Sequence, residues 1–207
     1  RPNVPRVAYL FVWQLVLKQY IETYPEVQTE VVIDSAMVYI VAHGFDAGMR
    51  FGGSVRPGMV AVSTGPILDT VVVASPEYLA AHGTPTHPNE LSQHHCIGYR
   101  FLTFGQMEQW EFEKGDEHLR ISTSPRLVLN DVVSIAHAAL RGFGIAHLIS
   151  RYANDWLESG KLVRIAEDWS PQLPRMTLYY RDRRRVPLRL RLLIDLLAKE
   201  FSQPRAQ

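Results

Sequence analysis

The chain has 207 residues, 46% of them hydrophobic and 21% charged, with a formal net charge of +1. That length holds one large domain or two small lobes with real cores. The near-neutral balance excludes a bulk field that would drive sequence-blind binding to nucleic acid. The lone cysteine, Cys96, excludes an internal disulfide and fits a reducing compartment. No charge-free run reaches the roughly 18 apolar residues that span a bilayer. The opening Arg1-Pro2-Asn3-Val4-Pro5 has no apolar core of a signal peptide, so a cytoplasmic location away from membranes is expected.

The predicted elements alternate between strands and helices. Val7 to Tyr24 carries Leu10, Trp13, Leu17, Tyr20 or Ile21 and Tyr24 at spacings of three and four, and Pro25 stops that helix. Thr29 to Ile33 is β-branched and reads as a strand. Ala36 to His43 reads as a short helix closed by Gly44. Asp46 to Phe51 and Met59 to Val62 are strands, broken by Gly52-Gly53 and Pro57-Gly58. Val71 to Ala74 is an unbroken apolar run, as in a strand buried on both faces. Ser75-Pro76-Glu77 then supplies an N-cap, a proline at the first helical position and an acid in the first turn.

Further on, Cys96 to Phe101 and Trp110 to Phe112 read as strands, and His118 to Leu129 holds one or two more. Asn130 or Asp131 caps a helix with Val132, Ile135, Ala136, Ala139 and Leu140 on one face. Gly144 to Leu148 is a strand, Ser150 to Ser159 a helix, and Leu162 to Ile165 and Met176 to Tyr180 are strands. Pro187 to Phe201 forms the last helix, with Leu190, Leu193, Ile194, Leu197 and Phe201 inward. Such alternation implies α/β sheets of parallel type.

Four segments in order, HGFDAGMRFG (from His43), GMVAVSTGP (from Gly58), VVVASPEYLAAHGTPTHPNEL (from Val71) and HHCIGYRF (from His94), resemble the effector-binding domain of LysR-type transcriptional regulators. The resemblance covers roughly Val4 to Phe201. It implies two Rossmann-like lobes joined by two crossover segments, similar to type 2 periplasmic binding proteins. On that map lobe one is residues 1–67 and 175–207, and lobe two is residues 72–170. The crossings fall near Leu68–Val71 and Ser170–Arg175, the second stiffened by Pro171 and Pro174. The implied function is non-enzymatic: a small-molecule effector binds between the lobes, alters their closure and changes oligomer geometry. Homodimers built on the first helix, with tetramers in the full-length protein, are implied as well. DNA would be read only through a winged helix-turn-helix that the 207 residues do not contain. Phe11, Val12, Leu15 and Val16 lie outside the main stripe of the first helix and offer the extra apolar surface for a dimer. A departure from the family is the helix start Pro5-Arg6-Val7-Ala8, where small hydroxyl residues are common.

Ligands of open α/β sheets sit beyond the carboxyl ends of strands, near helix N-termini. That rule selects Pro5-Arg6, Asp34-Ser35, Arg50-Phe51-Gly52, Arg100-Phe101 and Asn130-Asp131. Arg6, Arg50 and Arg100 are candidate carboxylate anchors, since a guanidinium fork pairs bidentately. Ser35 and Asn130 are candidate donors; Tyr99 and Phe101 are candidate walls. Asp131 completes the set, and a small organic anion is the expected effector. Plainer roles stand beside these: Arg50 paired with Asp46 or Asp69, Asn130 and Asp131 as caps, Phe101 in the core and Arg6 in solvent.

Other motifs carry little. Gly142-Phe143-Gly144 lacks the third glycine of a dinucleotide loop, since position 147 is His. His94-His95-Cys96 supplies too few ligands for a closed zinc site, and no cofactor or metal is expected. No Gly-x-Ser-x-Gly elbow occurs, and Cys96 sits in apolar surroundings that favour an inert thiol. The run Arg181 to Arg185 reads as a solvated loop. A free-standing solute-binding protein of a transporter shares the two-lobe clamp and is the alternative; an enzyme ranks third.

Overall fold

The computed structural model describes residues 1–36, 39–40, 42–52, 58–103, 105–181 and 186–202. The chain opens with β1 (Pro2–Val4) and a helical column of α1 (Arg6–Ala8), a π turn (Tyr9–Trp13) and α2 (Gln14–Thr23). There follow β2 (Val32–Ile33), β3 (Ala47–Phe51), β4 (Val60–Thr64) and β5 (Leu68–Ala74). Next come α3 (Pro76–His82), a 3₁₀ turn (Pro88–Gln93), β6 (Cys96–Tyr99), the hairpin β7 (Trp110–Lys114) and β8 (Glu117–Ile121), and β9 (Leu127–Leu129). After α4 (Val132–Leu140) come β10 (Ile145–Ile149), a 3₁₀ turn (Ser150–Tyr152), α5 (Asn154–Glu158) and β11 (Val163–Ile165). A 3₁₀ turn (Glu167–Trp169), β12 (Gln172–Leu173), β13 (Met176–Tyr180) and α6 (Leu188–Ser202) complete it.

These elements form two compact units, one of Arg1–Ile67 with Pro174–Gln207 and one of Leu68–Leu173. In the first unit the strand order is β2-β1-β3-β13-β4. β1 is parallel to β2 and β3, while β13 runs antiparallel to β3 and β4. Trp13, fully buried, donates its indole N–H to Met49 Sδ at 3.3 Å, and Tyr20 donates its hydroxyl to the Arg189 carbonyl at 2.7 Å. These two bonds fix the helical column to β3 and to α6.

The buried stripe of that column differs from the expected one. Val12, Trp13, Val16 and Tyr20 are buried, whereas Ile21 is 51% exposed and Leu15 40%. A π turn holds more residues per turn than an α turn, so it rotates the faces that follow it. Val12 and Val16 therefore belong to the core and do not form outer apolar surface. A Cβ on Gly65 would come within 2.9 Å of Val12 Cγ2, and Gly65 has φ +86°, so this approach requires glycine.

In the second unit the sheet order is β11-β5-β10-β6-β9, with β12 also paired to β5. The run Val71 to Ala74 explains the layering. Val71 and Val73 meet Ile135, Ala136 and Ala139 of α4 on one face. Val72 and Ala74 meet Tyr78, Leu79 and Leu91, with Trp110 and Phe112 of the hairpin, on the other. Both faces are covered, which is why the run lacks alternation. Ser75 caps α3, its Oγ accepting from Tyr78 N at 3.2 Å. The sheets are mixed rather than purely parallel: β10 is antiparallel to β5 but parallel to β6.

The remaining differences are local. The strand expected over Thr29 to Ile33 shortens to Val32–Ile33. Helix Ser150 to Ser159 divides into the 3₁₀ turn and α5. Of the helix expected over Ala36 to His43, Met37, Val38 and Val41 lie outside the described residues, and Ala42, His43 and Gly44 form a turn. Gly53, Pro57, Asp182 to Arg185 and the tail beyond Ser202 also lie outside them.

Candidate functional site

The carboxyl end of the first sheet is built around Arg50, the fourth residue of β3. Its Nη2 donates to Asn3 Oδ1 at 2.6 Å and to the Ala36 carbonyl at 2.5 Å, and its Nη1 donates to the Met49 carbonyl at 2.6 Å. The turn that brings Ala36 there is set by Asp34, whose N–H donates to the Val4 carbonyl at 2.9 Å and whose Oδ1 accepts from Ala36 N at 2.8 Å. One guanidinium thus ties β1, β3 and the turn after β2. Burial lowers the Arg50 pKa, and the nearby Tyr179 and Asp34 partly offset that. Two buried donors at this corner, Asn3 Nδ2 and Arg50 Nε, have no hydrogen-bond partner among the described residues. Arg50 pairs with neither carboxylate considered from sequence: Asp46 binds the N-terminal ammonium at 2.6 Å and Arg189 at 3.4 Å, and Asp69 accepts from Ser150 Oγ at 2.8 Å.

Around Arg50, Phe51 ends β3 half-buried, paired in register with Met176. Ser35 is exposed beside Ala36, and Arg6 is exposed in the first helical turn after β1. Asn3 was missed by sequence reasoning. Its signal is a polar residue set between apolar neighbours in a strand, and it is fully buried.

The carboxyl end of the second sheet gathers Tyr99, Arg100, Phe101, Asn130 and Asp131. Tyr99 pairs in register with Leu129, so the ends of β6 and β9 lie side by side. The rings of Tyr99 and Phe101 meet edge to face, 5.1 Å between centroids. Phe101 is 43% exposed and so does not belong to the core. Arg100 is exposed and donates Nη1 to the Gly105 carbonyl at 2.7 Å, closing its own loop. Asp131 is the N-cap of α4: its Oδ2 accepts from Ser134 N at 2.9 Å and from Ser134 Oγ at 2.8 Å. Asn130, exposed, precedes it.

Glu108 also reaches this edge, its N–H donating to the Tyr99 carbonyl at 2.9 Å. Burial, with the charge of Glu111 second, pushes its carboxyl up to about 7. Nothing in Gly105-Gln106-Met107-Glu108 distinguishes it from a solvated loop acid, so sequence gave no signal.

Burial pushes the Cys96 thiol up to about 12, so it is not a thiolate near neutral pH. Among the described residues no group of three or more His, Cys, Asp or Glu is placed to hold a metal ion. Among the same residues no helix is long and apolar enough to cross a membrane.

The profile of the LysR substrate binding domain matches residues 5–202. The uncharacterized HTH-type transcriptional regulator YcaN of Escherichia coli K12 is 34% identical over 193 residues, 93% of this chain and 63% of that protein. The HTH-type transcriptional regulator PgrR of the same organism is 30% identical over 181 residues, 87% of this chain and 60% of that protein. The chain therefore spans about three fifths of the length of these relatives. Among solved structures, the regulatory domain of CrgA, a LysR-type transcriptional regulator from Neisseria meningitidis, superposes with a TM-score of 0.80 at 25% identity, covering 97% of each chain. With the profile matching nearly its whole length, this chain belongs to the LysR substrate-binding domain family, with the fold of the regulatory domains of LysR-type transcriptional regulators.

Proposed function

We propose that the chain is the ligand-sensing part of a LysR-type transcriptional regulator and that its effector is a small organic anion. The observation that carries the ligand class is the pair of buried donors without acceptors among the described residues, Asn3 Nδ2 and Arg50 Nε, at the carboxyl end of a sheet. A buried donor without an acceptor costs roughly 1–3 kcal/mol, which a carboxylate oxygen would recover. Arg6 on the neighbouring first helical turn adds positive charge.

The effector acts only through its different affinities for two arrangements of the protein. Those arrangements are two packings of subunits, and a helix-turn-helix segment of the longer protein reads the difference. Leu15 and Ile21 on the helical column and Ile33 on the edge strand β2 are exposed and supply apolar surface for a second copy. The regulator names of the relatives favour this reading over a transporter's solute-binding protein or an enzyme. Titration calorimetry with a panel of small carboxylates tests it. Binding by carboxylates but not by their amides supports the anionic effector; binding by neutral compounds alone rejects it.

A further inference from the structure

In the second unit three histidines converge on one buried tyrosine, away from the carboxyl end of the sheet. Tyr78, in the first turn of α3, is 3% exposed. His82, one turn on, stacks on its ring with 4.3 Å between centroids and 11° between planes. The His82 Nδ1 lies 3.0 Å from the Tyr78 carbonyl and so carries a hydrogen, because a carbonyl only accepts. The ring of His95 meets that of His82 edge-on at 5.6 Å. His95 N donates to the Tyr78 hydroxyl oxygen at 2.9 Å, and the same hydroxyl lies 3.3 Å from His94 Nδ1.

The Tyr78 hydroxyl accepts from His95 N and has its own hydrogen to donate to His94 Nδ1 when that nitrogen is unprotonated. In this arrangement His94 is neutral, with its hydrogen on Nε2. A second proton would go onto Nδ1, turning an acceptor into a donor and stranding the tyrosine hydrogen. It would also place a cation beside His82 and His95.

The groups acting on His94 are Tyr78 and His82 from α3, His95 next to it, and Glu90 from the 3₁₀ turn; Cys96 lies near Tyr78 and His87 near Glu90. Glu90 is the only carboxylate among them, and it is already engaged by Thr86 N at 2.8 Å and Thr86 Oγ at 3.3 Å. The corner is also tightly seated. The His95 carbonyl accepts from Ile145 N at 2.8 Å, and a Cβ on Gly144 would lie 2.1 Å from that carbonyl oxygen. His95 therefore has no room to retreat toward β10, so the strain of protonation falls on α3 and the 3₁₀ turn.

We propose that the Tyr78–His94 contact, flanked by His82 and His95, is a proton-responsive latch that holds α3 and the 3₁₀ turn against β6 and opens on acidification. A free histidine titrates near pH 6.5, so the latch is closed above that value and loosens below it.

Amide hydrogen exchange of the whole chain at about pH 7.5 and about pH 5.5, corrected for intrinsic rates, tests this. One unit of pKa difference between the closed and opened corner is a tenfold change in opening. Amides of α3 and β6 are expected to lose roughly tenfold protection at the lower pH, with those of α4 unchanged. His94→Asn, whose Oδ1 can accept from the tyrosine without titrating, should abolish the difference. Unchanged corner amides in the wild type, or an equal loss in H94N, would overturn the proposal. A wild-type His94 resonance titrating at or above the free value would overturn it too, and that measurement does not require the variant to fold.

Discussion

Arg50 Nη2 donates to Asn3 Oδ1 at 2.6 Å, so the arginine expected to anchor a ligand also fastens two strands of the first unit together. Stability and binding are coupled at this pair. Arg50→Ala removes the donor shared by Asn3 Oδ1 and the Ala36 and Met49 carbonyls, and Asn3→Ala removes one acceptor of Nη2. Each should cost about 2–3 kcal/mol in denaturant unfolding. Arg50→Lys should recover little, because one ammonium cannot reproduce a planar fork shared among four acceptor atoms. A loss below about 0.5 kcal/mol for Arg50→Ala would show that the fork does not hold the sheet.

Glu108 predicts a stability that falls in mild alkali. Its carboxyl has a folded value of about 7, above the ordinary 4.5 of a glutamate. Between those values the folded state binds more protons than the unfolded one, so stability falls as pH rises from about 4.5 through about 7. Glu108→Gln should remove this slope and gain roughly 1–3 kcal/mol near pH 8. Melting curves across the range check it; a wild type with a flat profile in that window, unaltered by the substitution, would contradict the buried carboxyl.

His147 acts in the opposite direction. Its ring lies against Trp110 at 5.4 Å and Phe112 at 5.9 Å, its buried Nε2 has no partner among the described residues, and burial brings its pKa down to about 4. Here the unfolded state binds more protons, so stability is complete above about pH 6.5 and is lost as pH falls toward 4. His94, lowered by burial and then by His82, adds to the same acid limb. His147→Phe should flatten that limb while changing stability at pH 8 by less than about 1.5 kcal/mol. An acid limb of unaltered depth in the variant would assign it elsewhere.

How much of this was legible beforehand differs by element. Val71 to Ala74 was readable because a strand covered on both faces needs no polar positions, and the two clusters around it show that covering. Ser75-Pro76-Glu77 was readable because capping is local chemistry. The π turn at Tyr9–Trp13 was not, since an extra residue in a turn leaves no mark in a pattern of apolar spacing, and so the buried face was misassigned. At the candidate site, the strand ends carrying Arg50, Tyr99 and Asp131 followed from the alternation of elements. Which acceptors Arg50 meets depended on the turn at Asp34, and the burial of Glu108 depended on packing from distant segments. Neither is encoded nearby in the chain.

Asp131 separates capping from ligand contact. Asp131→Ala should cost about 1 kcal/mol of stability through loss of the two bonds to Ser134. Effector affinity measured in the same variant should stay within about twofold if its role is the cap alone, a difference of about 0.4 kcal/mol. A tenfold loss of affinity at unchanged stability would make it a ligand contact.

The exposed face of the helical column predicts association. The wild type should sediment as a dimer and Leu15→Asp as a monomer, because a charge would be buried in the proposed interface. Wild-type and variant chains of equal mass in solution would place the interface elsewhere.

The central claim, that this chain senses a small organic anion, is tested most directly by a thermal-shift titration against a carboxylate panel, with wild type and Arg50→Ala side by side. A ligand at 100 times its Kd should stabilise the wild type by about 2.7 kcal/mol. The account predicts a saturable upward shift for at least one carboxylate, diminished in Arg50→Ala after allowing for that variant's lower starting stability. No shift with any carboxylate, or an equal shift in both proteins, would contradict it.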